Sequence, residues 1–354
     1  MCQNSGHIVE FCQDQNGSRF IQQRLEIAQE EEKIFILSEI LPEIHKLRVD
    51  IFGNYVVQKL FDFGTAEMIN EVKGTIIGNM VSLSNQIYGC RVVQKALEIV
   101  SDEGLLELLS ELHDNILSCI HDQNGNHVIQ KYIEVVNKRI IESKVKGDID
   151  MALRFKRETK ILLDCVTEDV LALSCHPYGC RVFQRILEHF DEEQKDHVLN
   201  CISSFHQQLL DDQYGNYVIQ HVLRFGRTID RDSILNIVVK NSLLHLSRQK
   251  FASNVVEKLL KFGNDDHRRV IIREMLEKVP TSGIDGPADK SSVVLMMVRD
   301  AYANYVVQTT LDVVPEGEEK RLLYEELNSH AALLVSQIND FYEMTNKNFL
   351  FISI

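Results

Sequence analysis

The sequence predicts an all-α solenoid of eight repeats, and three observations support that fold class. One segment recurs eight times along the chain, and self-similarity at a fixed period is typical of repeat proteins. The 354 residues are 44% hydrophobic, so a core can form, but the chain exceeds the ~250–300 residues over which a single core usually extends. It also has only 5 prolines, which favours helices over rigid turns.

The recurring segment contains a glycine or alanine followed by a helical pattern of apolar residues. It reads VDIFGNYVVQKLFD from Val49 and DDQYGNYVIQHVLR from Asp211. The steps between copies are 36 or 37 residues, apart from two longer steps of 54 and 51. A period of about 36 residues fits two or three short helices per repeat. The residue after the glycine or alanine, named position i, is Ser18, Asn54, Cys90, Asn126, Cys180, Asn216, Ser253 or Asn304.

The spacing divides the chain into repeats with two longer members. The fourth repeat carries an insertion at 137–160, which is rich in charged residues and is expected to be a solvated loop. The seventh repeat carries a loop at 278–292 that contains Gly, Pro and Ser, as loops between regular elements commonly do. The predicted repeats are 7–42, 43–78, 79–114, 115–168, 169–204, 205–241, 242–292 and 293–328, followed by a tail at 329–354.

In each repeat the residues after position i separate into two faces of a helix. At about 100° per residue, positions i+2, i+3, i+6 and i+7 form an apolar stripe, such as Val56, Val57, Leu60 and Phe61, which predicts the core face. Positions i, i+1, i+4 and i+5 fall on the opposite face and are expected to be exposed. Position i is limited to Asn, Cys or Ser, and i+4 is Gln in seven repeats and Glu in one. A purely structural helix does not require such restricted exposed residues.

Positions i, i+1 and i+4 are the candidate RNA-binding residues. Seven of the eight residues at i+1 are flat Tyr, Arg or His side chains, which can stack on a base. Because hydrogen-bonding residues flank them, one such set per repeat predicts that each repeat reads one base of single-stranded RNA. The alternative is a neutral surface preserved by common descent of the copies, which does not explain why the three positions vary together. The candidates are Ser18, Arg19, Gln22, Asn54, Tyr55, Gln58, Cys90, Arg91, Gln94, Asn126, His127, Gln130, Cys180, Arg181, Gln184, Asn216, Tyr217, Gln220, Ser253, Asn254, Glu257, Asn304, Tyr305 and Gln308.

The net charge of −14 argues against a nucleic-acid ligand until the charges are placed on the helices. Positions i, i+1, i+4 and i+5 carry eight bases and one acid, Glu257. Position i+8 adds six acids and two bases, so the excess of bases over acids depends on whether i+8 is counted as part of this face. The sequence therefore predicts a locally positive surface on an acidic body. The eight bases are Arg19, Lys59, Arg91, Lys95, Lys131, Arg181, Arg185 and Lys258.

Other classes of function leave no recognisable pattern. The motifs G-x-G-x-x-G, G-x-x-x-x-G-K-[ST] and G-x-S-x-G are absent, so no enzymatic activity and no cofactor are expected. The 8 cysteines include no C-x-x-C pair, and the grouping of Cys175, His176 and Cys180 is attributed to chance, so no metal is expected. No apolar run reaches the ~18 residues of a membrane span, and the first residues lack a signal-peptide pattern.

These residues resemble the repeats of the Pumilio (PUF) family of RNA-binding proteins. The resemblance rests on eight ordered copies of [NCS]-x-[VF]-[VIF]-[QE] across residues 7–328. It implies a right-handed superhelical crescent that forms a single Pumilio homology domain over 1–354. The tail at 329–354 would be a degenerate C-terminal cap of that domain. The resemblance also implies that the second helix of each repeat lines a concave surface, where i and i+4 contact the Watson–Crick edge of a base and i+1 stacks on it.

The resemblance further implies the base that each repeat reads. RNA is expected to run antiparallel to the chain, with its 5′ base on the last repeat. Sets with Asn and Gln then read uracil, sets of Cys or Ser with Arg and Gln read adenine, and Ser253 with Glu257 reads guanine. The implied site is 5′-UGUAUAUA-3′, most tolerant at the fifth base, which the repeat containing His127 reads.

The resemblance finally implies a role in post-transcriptional regulation. The expected ligand is a UGUA-containing element in the 3′ untranslated region of messenger RNA, and the expected outcome is repression or decay through a recruited deadenylase complex. The protein partner would use the convex face or the loop between repeats seven and eight. A cytoplasmic monomer without membrane contact is expected. Two alternatives stay open: a HEAT- or armadillo-like protein-binding scaffold, and a nucleolar PUF-like ribosome-assembly factor.

Overall fold

The computed structural model describes residues 6–280 and 290–329, which form eight repeats of three helices each. The helices of the first four repeats are α1 (Ile8–Gln13), α2 (Gln15–Ile27) and α3 (Glu30–Ile40); α4 (Ile44–Leu47), α5 (Gly53–Phe63) and α6 (Ala66–Gly74); α7 (Met80–Ser84), α8 (Gly89–Ile99) and α9 (Asp102–Ser110); and α10 (Ile116–His121), α11 (Gly125–Lys146) and α12 (Ile149–Thr167). Those of the last four are α13 (Val170–Ser174), α14 (Gly179–His189) and α15 (Glu192–Ser203); α16 (His206–Leu210), α17 (Gly215–Phe225) and α18 (Thr228–Lys240); α19 (Leu243–Ser247), α20 (Ala252–Phe262) and α21 (Asp265–Leu276); and α22 (Val293–Val298), α23 (Ala303–Val313) and α24 (Glu318–Ser329). Two short 3₁₀ turns, Leu41–Glu43 and His113–Asn115, precede α4 and α10, and the strands β1 (Lys278–Pro280) and β2 (Lys290–Ser292) follow α21.

The second helix of each repeat begins at or just before the aligned glycine or alanine, close against the first helix. A Cβ atom at Gly179 would lie 2.3 Å from the carbonyl oxygen of Leu173, and one at Gly89 would lie 2.7 Å from that of Leu83. Since no side chain fits at such distances, these two repeats need glycine for the tight turn between their first and second helices.

The repeats form two compact units, one up to Val198 and one from Leu199 onward. In the first unit the second helices α2, α5, α8, α11 and α14 pack side by side in chain order. In the second unit α17, α20 and α23 do the same. The predicted core stripe is confirmed, because residues such as Val56, Leu60 and Val256 are completely buried. The opposite faces of the second helices carry the candidate RNA-binding residues.

The insertion at 137–160 is not the solvated loop that the sequence predicts. It lengthens α11 and α12 into a helical hairpin, joined at Gly147 with a φ of 78°. Phe155, on the second helix of this hairpin, is completely buried. The Tyr132 hydroxyl donates to Glu158 Oε2 at 3.2 Å and ties the two helices together. The prediction was wrong because charge dominates the composition of the insertion, although its apolar residues keep a helical spacing.

The predicted loop at 278–292 is closed at its base, because β1 pairs antiparallel with β2. Its residues 281–289 lie outside the described residues. The predicted C-terminal cap at 329–354 also lies outside them beyond Ser329, where α24 ends.

The predicted all-α solenoid of eight repeats is confirmed by these three-helix units, while its right-handed crescent shape stays a prediction. Across residues 6–280 and 290–329, no helix combines the length and the apolar character that crossing a membrane requires.

Candidate nucleic-acid interface

Position i is buried in all eight repeats, whereas the sequence predicts it to be exposed. Asn54, for example, is only 2% exposed. Its Nδ2 donates to the carbonyl oxygens of Asp50 and Ile51 at 2.9 and 3.0 Å. The helical wheel misplaces this position because the turn that precedes the second helix folds back over its first residues. The other buried members are Ser18, Cys90, Asn126, Cys180, Asn216, Ser253 and Asn304.

Where position i is Asn, its side chain orients the Gln at i+4. Gln58 Nε2 donates to Asn54 Oδ1 at 2.9 Å. The same bond joins Gln130 to Asn126, Gln220 to Asn216 and Gln308 to Asn304 at 2.9 to 3.0 Å. The Gln keeps its Oε1 and a second amide hydrogen for a ligand, which suits a base edge that presents both an acceptor and a donor.

In the third repeat, where position i is Cys90, the Gln is held differently. Gln94 Nε2 donates to the backbone oxygen of Cys90 at 3.0 Å, and the Cys90 thiol donates to the Ile87 oxygen at 3.4 Å. Burial raises the pKa of the Cys90 thiol, so at neutral pH it stays a small, uncharged group. The residue at position i therefore changes the atom that anchors the Gln amide, and this gives a physical basis for a different base preference.

The stacking candidates at position i+1 lie at the surface as predicted. Tyr55, Tyr217 and Tyr305 are 54%, 50% and 45% exposed, and all the other members are exposed except the half-buried His127. Burial lowers the pKa of His127, and Arg91 and Arg181 from the two neighbouring repeats lower it further. These electrostatic contributions indicate that the i+1 residues of the third, fourth and fifth repeats lie near one another. The exposed members are Arg19, Tyr55, Arg91, Arg181, Tyr217, Asn254 and Tyr305.

A capping side chain four residues before position i orders the start of the second helix, and the sequence analysis missed it. Asp50 Oδ1 accepts from the backbone N–H groups of Phe52 and Gly53, both at 2.8 Å. Asp122, Asp212 and Asp300 make the same contacts in their repeats. The recurring Asp in the aligned segments was the available signal, since Asp before a helix is a common capping residue.

The guanine candidate Glu257 is held by the following repeat. Its own neighbour Ser253 donates to the Lys250 oxygen at 3.4 Å. Thr309 Oγ1 instead donates to Glu257 Oε2 at 3.2 Å. A carboxylate only accepts hydrogen bonds. The acceptor sites of Glu257 that Thr309 does not use therefore suit a base edge that presents hydrogen-bond donors.

At position i+5 the predicted positive stripe is neutralised in the first unit. Lys59 pairs with Glu26 at 2.5 Å and Lys95 with Asp62 at 3.0 Å. In each pair the base at i+5 meets the acid at i+8 of the preceding repeat. The count of bases on four positions was misleading because the next helical turn supplies partners from the neighbouring repeat.

Comparison with protein families identifies the repeats. The model of the Pumilio-family RNA binding repeat matches residues 7–41, 49–72, 79–113, 115–141, 169–203, 212–239, 242–276 and 294–327. The chain belongs to this Pumilio family. The family and the fold are those of RNA-binding proteins.

A curated relative and two solved structures are similar to almost the whole Pumilio chain. A Pumilio domain-containing protein of Schizosaccharomyces pombe is 30% identical over 88% of this chain and 41% of its own length. The Puf3 RNA binding domain bound to the Cox17 RNA 3′ UTR recognition sequence site A has 38% identity and a TM-score of 0.80, covering 97% of this chain and 95% of that one. PUF-8 in complex with PBE-RNA has 32% identity and a TM-score of 0.78, covering 96% and 94%.

The Pumilio chain spans about half the length, or less, of curated relatives such as the Schizosaccharomyces pombe protein and Pumilio homolog 12 of Arabidopsis thaliana. The solved structures match this chain over nearly their whole length, whereas the curated relatives contain further sequence. The roles of the 24 candidate residues in RNA binding stay predictions, because their positions alone do not test a ligand.

Proposed function

We propose that this chain binds single-stranded RNA in a sequence-specific manner, with one base read by each repeat. One observation carries the proposal: every repeat presents an exposed or half-buried residue at i+1 next to a half-buried Gln or Glu at i+4. In four repeats the Gln is oriented by a buried Asn. Stacking supplies affinity for any base, and the oriented amide or carboxylate supplies the choice among bases.

The proposed recognition element is 5′-UGUAUAUA-3′ or a close variant. Four Asn–Gln repeats correspond to its uracils, because the Gln oxygen can accept from uracil N3–H while its free amide hydrogen donates to a uracil oxygen. Adenine presents a donor at N6 and an acceptor at N1, so the differently anchored Gln of a Cys repeat suits it. The carboxylate of Glu257 suits the two adjacent donors of guanine. The similar Puf3 domain is bound to a 3′ UTR recognition sequence, which supports messenger RNA as the ligand.

The proposed biological outcome is repression or decay of messenger RNA in the cytoplasm. The chain would act by recruiting other proteins, such as a deadenylase complex, as a monomer without a cofactor. Recruitment would use surfaces outside the second helices. The HEAT- or armadillo-like scaffold and the nucleolar assembly factor are the competing functions.

Selection of bound RNAs from a random pool tests the proposal. We expect enrichment of an eight-base motif that begins with UGUA and is least constrained at the fifth base. A motif without UGUA at its 5′ end would contradict the base assignments, broad binding without a motif would favour the assembly factor, and no RNA binding would favour the scaffold. The variant Tyr55→Ala, Tyr217→Ala and Tyr305→Ala is the matched control, since loss of three stacking contacts worth about 1–3 kcal/mol each should weaken binding without changing the motif.

A further inference from the structure

The i+5 and i+8 positions of the second helices differ sharply between the two units. In the first unit acids occupy i+8 and neutralise the lysines at i+5. Besides the pairs made by Lys59 and Lys95, Lys131 lies 2.7 Å from both Glu98 of the preceding repeat and Glu134 of its own. These cations are already compensated before any ligand arrives.

In the second unit three of the same positions carry Arg or Lys. Position i+8 is Arg224 in the sixth repeat and Lys261 in the seventh, and i+5 of the seventh is Lys258. Salt bridges within 4.0 Å that the described residues form include none with these three side chains. Asp312, the acid at i+8 on α23, likewise forms no salt bridge within the part of the chain that the structure describes. We name Arg224, Lys258 and Lys261 the basic patch.

Two aromatic rings hold part of the basic patch in place. The Arg224 guanidinium carbon lies 4.8 Å from the Phe225 ring centre and 5.8 Å from that of Phe262. Lys258 Nζ lies 5.9 Å from the same Phe262 centre. Ring faces attract cations but carry no net charge. Two cations are therefore kept close to one ring while their mutual repulsion stays uncompensated, and an anion between them would relieve it.

The basic patch continues the face that carries the base-reading candidates. At about 100° per residue, i+8 lies between i+1 and i+4 around the helix, and it lies about 6 Å beyond i+4 along the axis. Arg224 therefore follows Gln220, and Lys261 follows Glu257. Arg224 and Lys261 are exposed and Lys258 is half-buried, so all three can meet a ligand on this face.

We propose that Arg224, Lys258 and Lys261 bind the phosphodiester backbone of the RNA whose bases the sixth and seventh repeats read. The inference rests on the proposed function and adds a phosphate site confined to the second unit. Phosphate is the fitting anion because arginine and lysine are its usual protein partners. A phosphate also adjoins every base, so the oligonucleotide that presents its bases to Gln220 and Glu257 brings its backbone to the patch.

The test is the salt dependence of RNA affinity in a charge-neutralised variant. Binding of UGUAUAUA is measured for wild type and for Arg224→Gln, Lys258→Gln, Lys261→Gln between about 50 and about 200 mM salt. Each lost phosphate contact should reduce the slope of log K against log salt by about 0.7, so loss of all three contacts should reduce the slope of the triple variant by about 2.1. Its preference for UGUAUAUA over a scrambled octamer should not change, because no base-reading residue is altered.

The matched control removes three positive charges elsewhere. Lys146→Gln, Arg157→Gln, Lys240→Gln alters three exposed side chains that lie outside the basic patch and outside the candidate set. The inference is supported if the salt dependence of RNA affinity becomes less steep only in the basic-patch variant, while both variants keep the thermal midpoint of wild type. It is overturned if the salt dependence decreases equally in the two variants or decreases in neither. If wild type shows no preference for UGUAUAUA, the proposed function fails and this inference fails with it.

Discussion

Thr309 Oγ1 donates a hydrogen bond to Glu257 Oε2 at 3.2 Å, which joins the eighth repeat to the seventh. In four other repeats a buried Asn within the same helix orients the residue at i+4. Ser253 cannot do this, because its hydroxyl donates to the Lys250 oxygen. Thr309 is 5% exposed, so its hydroxyl has a fixed direction and leaves Glu257 one preferred orientation.

The variant Thr309→Val tests this positioning role. It removes the hydroxyl and keeps the branched shape, so the loss should be that of one hydrogen bond, about 0.5–1.5 kcal/mol. We expect discrimination between UGUAUAUA and UUUAUAUA to fall roughly two- to ten-fold, measured by competition binding.

The control for that variant is Thr310→Val in the same helix. Thr310 is completely buried, and its hydroxyl donates to the Val306 oxygen, so its loss should lower stability without changing the preference for guanine. Equal discrimination in wild type and Thr309→Val would show that Glu257 needs no help from the next repeat.

The variant Ser253→Asn, Asn254→Tyr, Glu257→Gln should change the second base from guanine to uracil. The new Asn can accept from the new Gln, as Asn216 does from Gln220 at 2.9 Å. Glu257 opposite uracil would place acceptors against acceptors, which costs about 1–3 kcal/mol. We expect the preference between UGUAUAUA and UUUAUAUA to reverse, with discrimination changing by roughly 10–100-fold.

Affinities for octamers substituted at each of the other seven positions serve as the control for that swap, since these should be read as before. A triple variant that still prefers guanine would end the assignment of this repeat to the second base.

Self-similarity predicted the repeat unit, and helix spacing predicted the core stripe and the exposed side chains at i+1. Residues such as Val56 and Tyr55 could be placed because the angular position on a helix decides which side meets the neighbouring repeat. The burial of Asn54 could not be predicted that way, since it depends on the turn that covers the helix start. The hydrogen-bond partner of Glu257 could not be predicted either, because Thr309 lies 52 residues away in the chain.

The insertion shows a second limit of sequence reasoning. Its high charge predicted a loop, yet Phe155 and Ile140 continue the apolar periodicity of two helices and are buried. Charge on the outer side of a helix and charge in a solvated loop give similar compositions, so only the periodicity distinguishes them.

Truncation of Phe155 should therefore destabilise the protein although it lies within the insertion. Phe155→Ala leaves a cavity in the hairpin of α11 and α12, and such changes lower the free energy of unfolding by about 3–5 kcal/mol. Leu153→Ala is the matched control, because Leu153 lies in the same insertion but is 50% exposed and should cost no more than ~0.5 kcal/mol. Urea unfolding measures the free energy of unfolding of both variants. If both changes lower it by similar small amounts, the interpretation of the insertion as a solvated loop would be restored.

His176 makes the fifth repeat sensitive to acid. Its Nδ1 accepts from the backbone N–H groups of Tyr178 and Gly179, both at 3.2 Å, in the place where Asp50 caps the second repeat. A nitrogen can accept these bonds only while it is unprotonated. Burial lowers the pKa of His176 below its ordinary 6.5, and His121, whose ring centre lies 4.7 Å away, lowers it further.

The sign of the effect follows from proton binding. Because the folded pKa is depressed, the unfolded chain binds more protons once the pH falls below about 6.5. The contribution of His176 to stability is therefore fully present above that pH. It falls as the pH decreases, until the pH lies below the folded pKa as well. His176→Asp keeps a capping acceptor and stays ionised at pH 5.5, so the thermal midpoint of this variant should fall less between pH 7.5 and pH 5.5 than that of wild type. The remaining histidines are the same in both proteins, so the difference between the two reports on His176 and its neighbour His121. An identical fall in wild type and His176→Asp would mean that the cap does not titrate in this range.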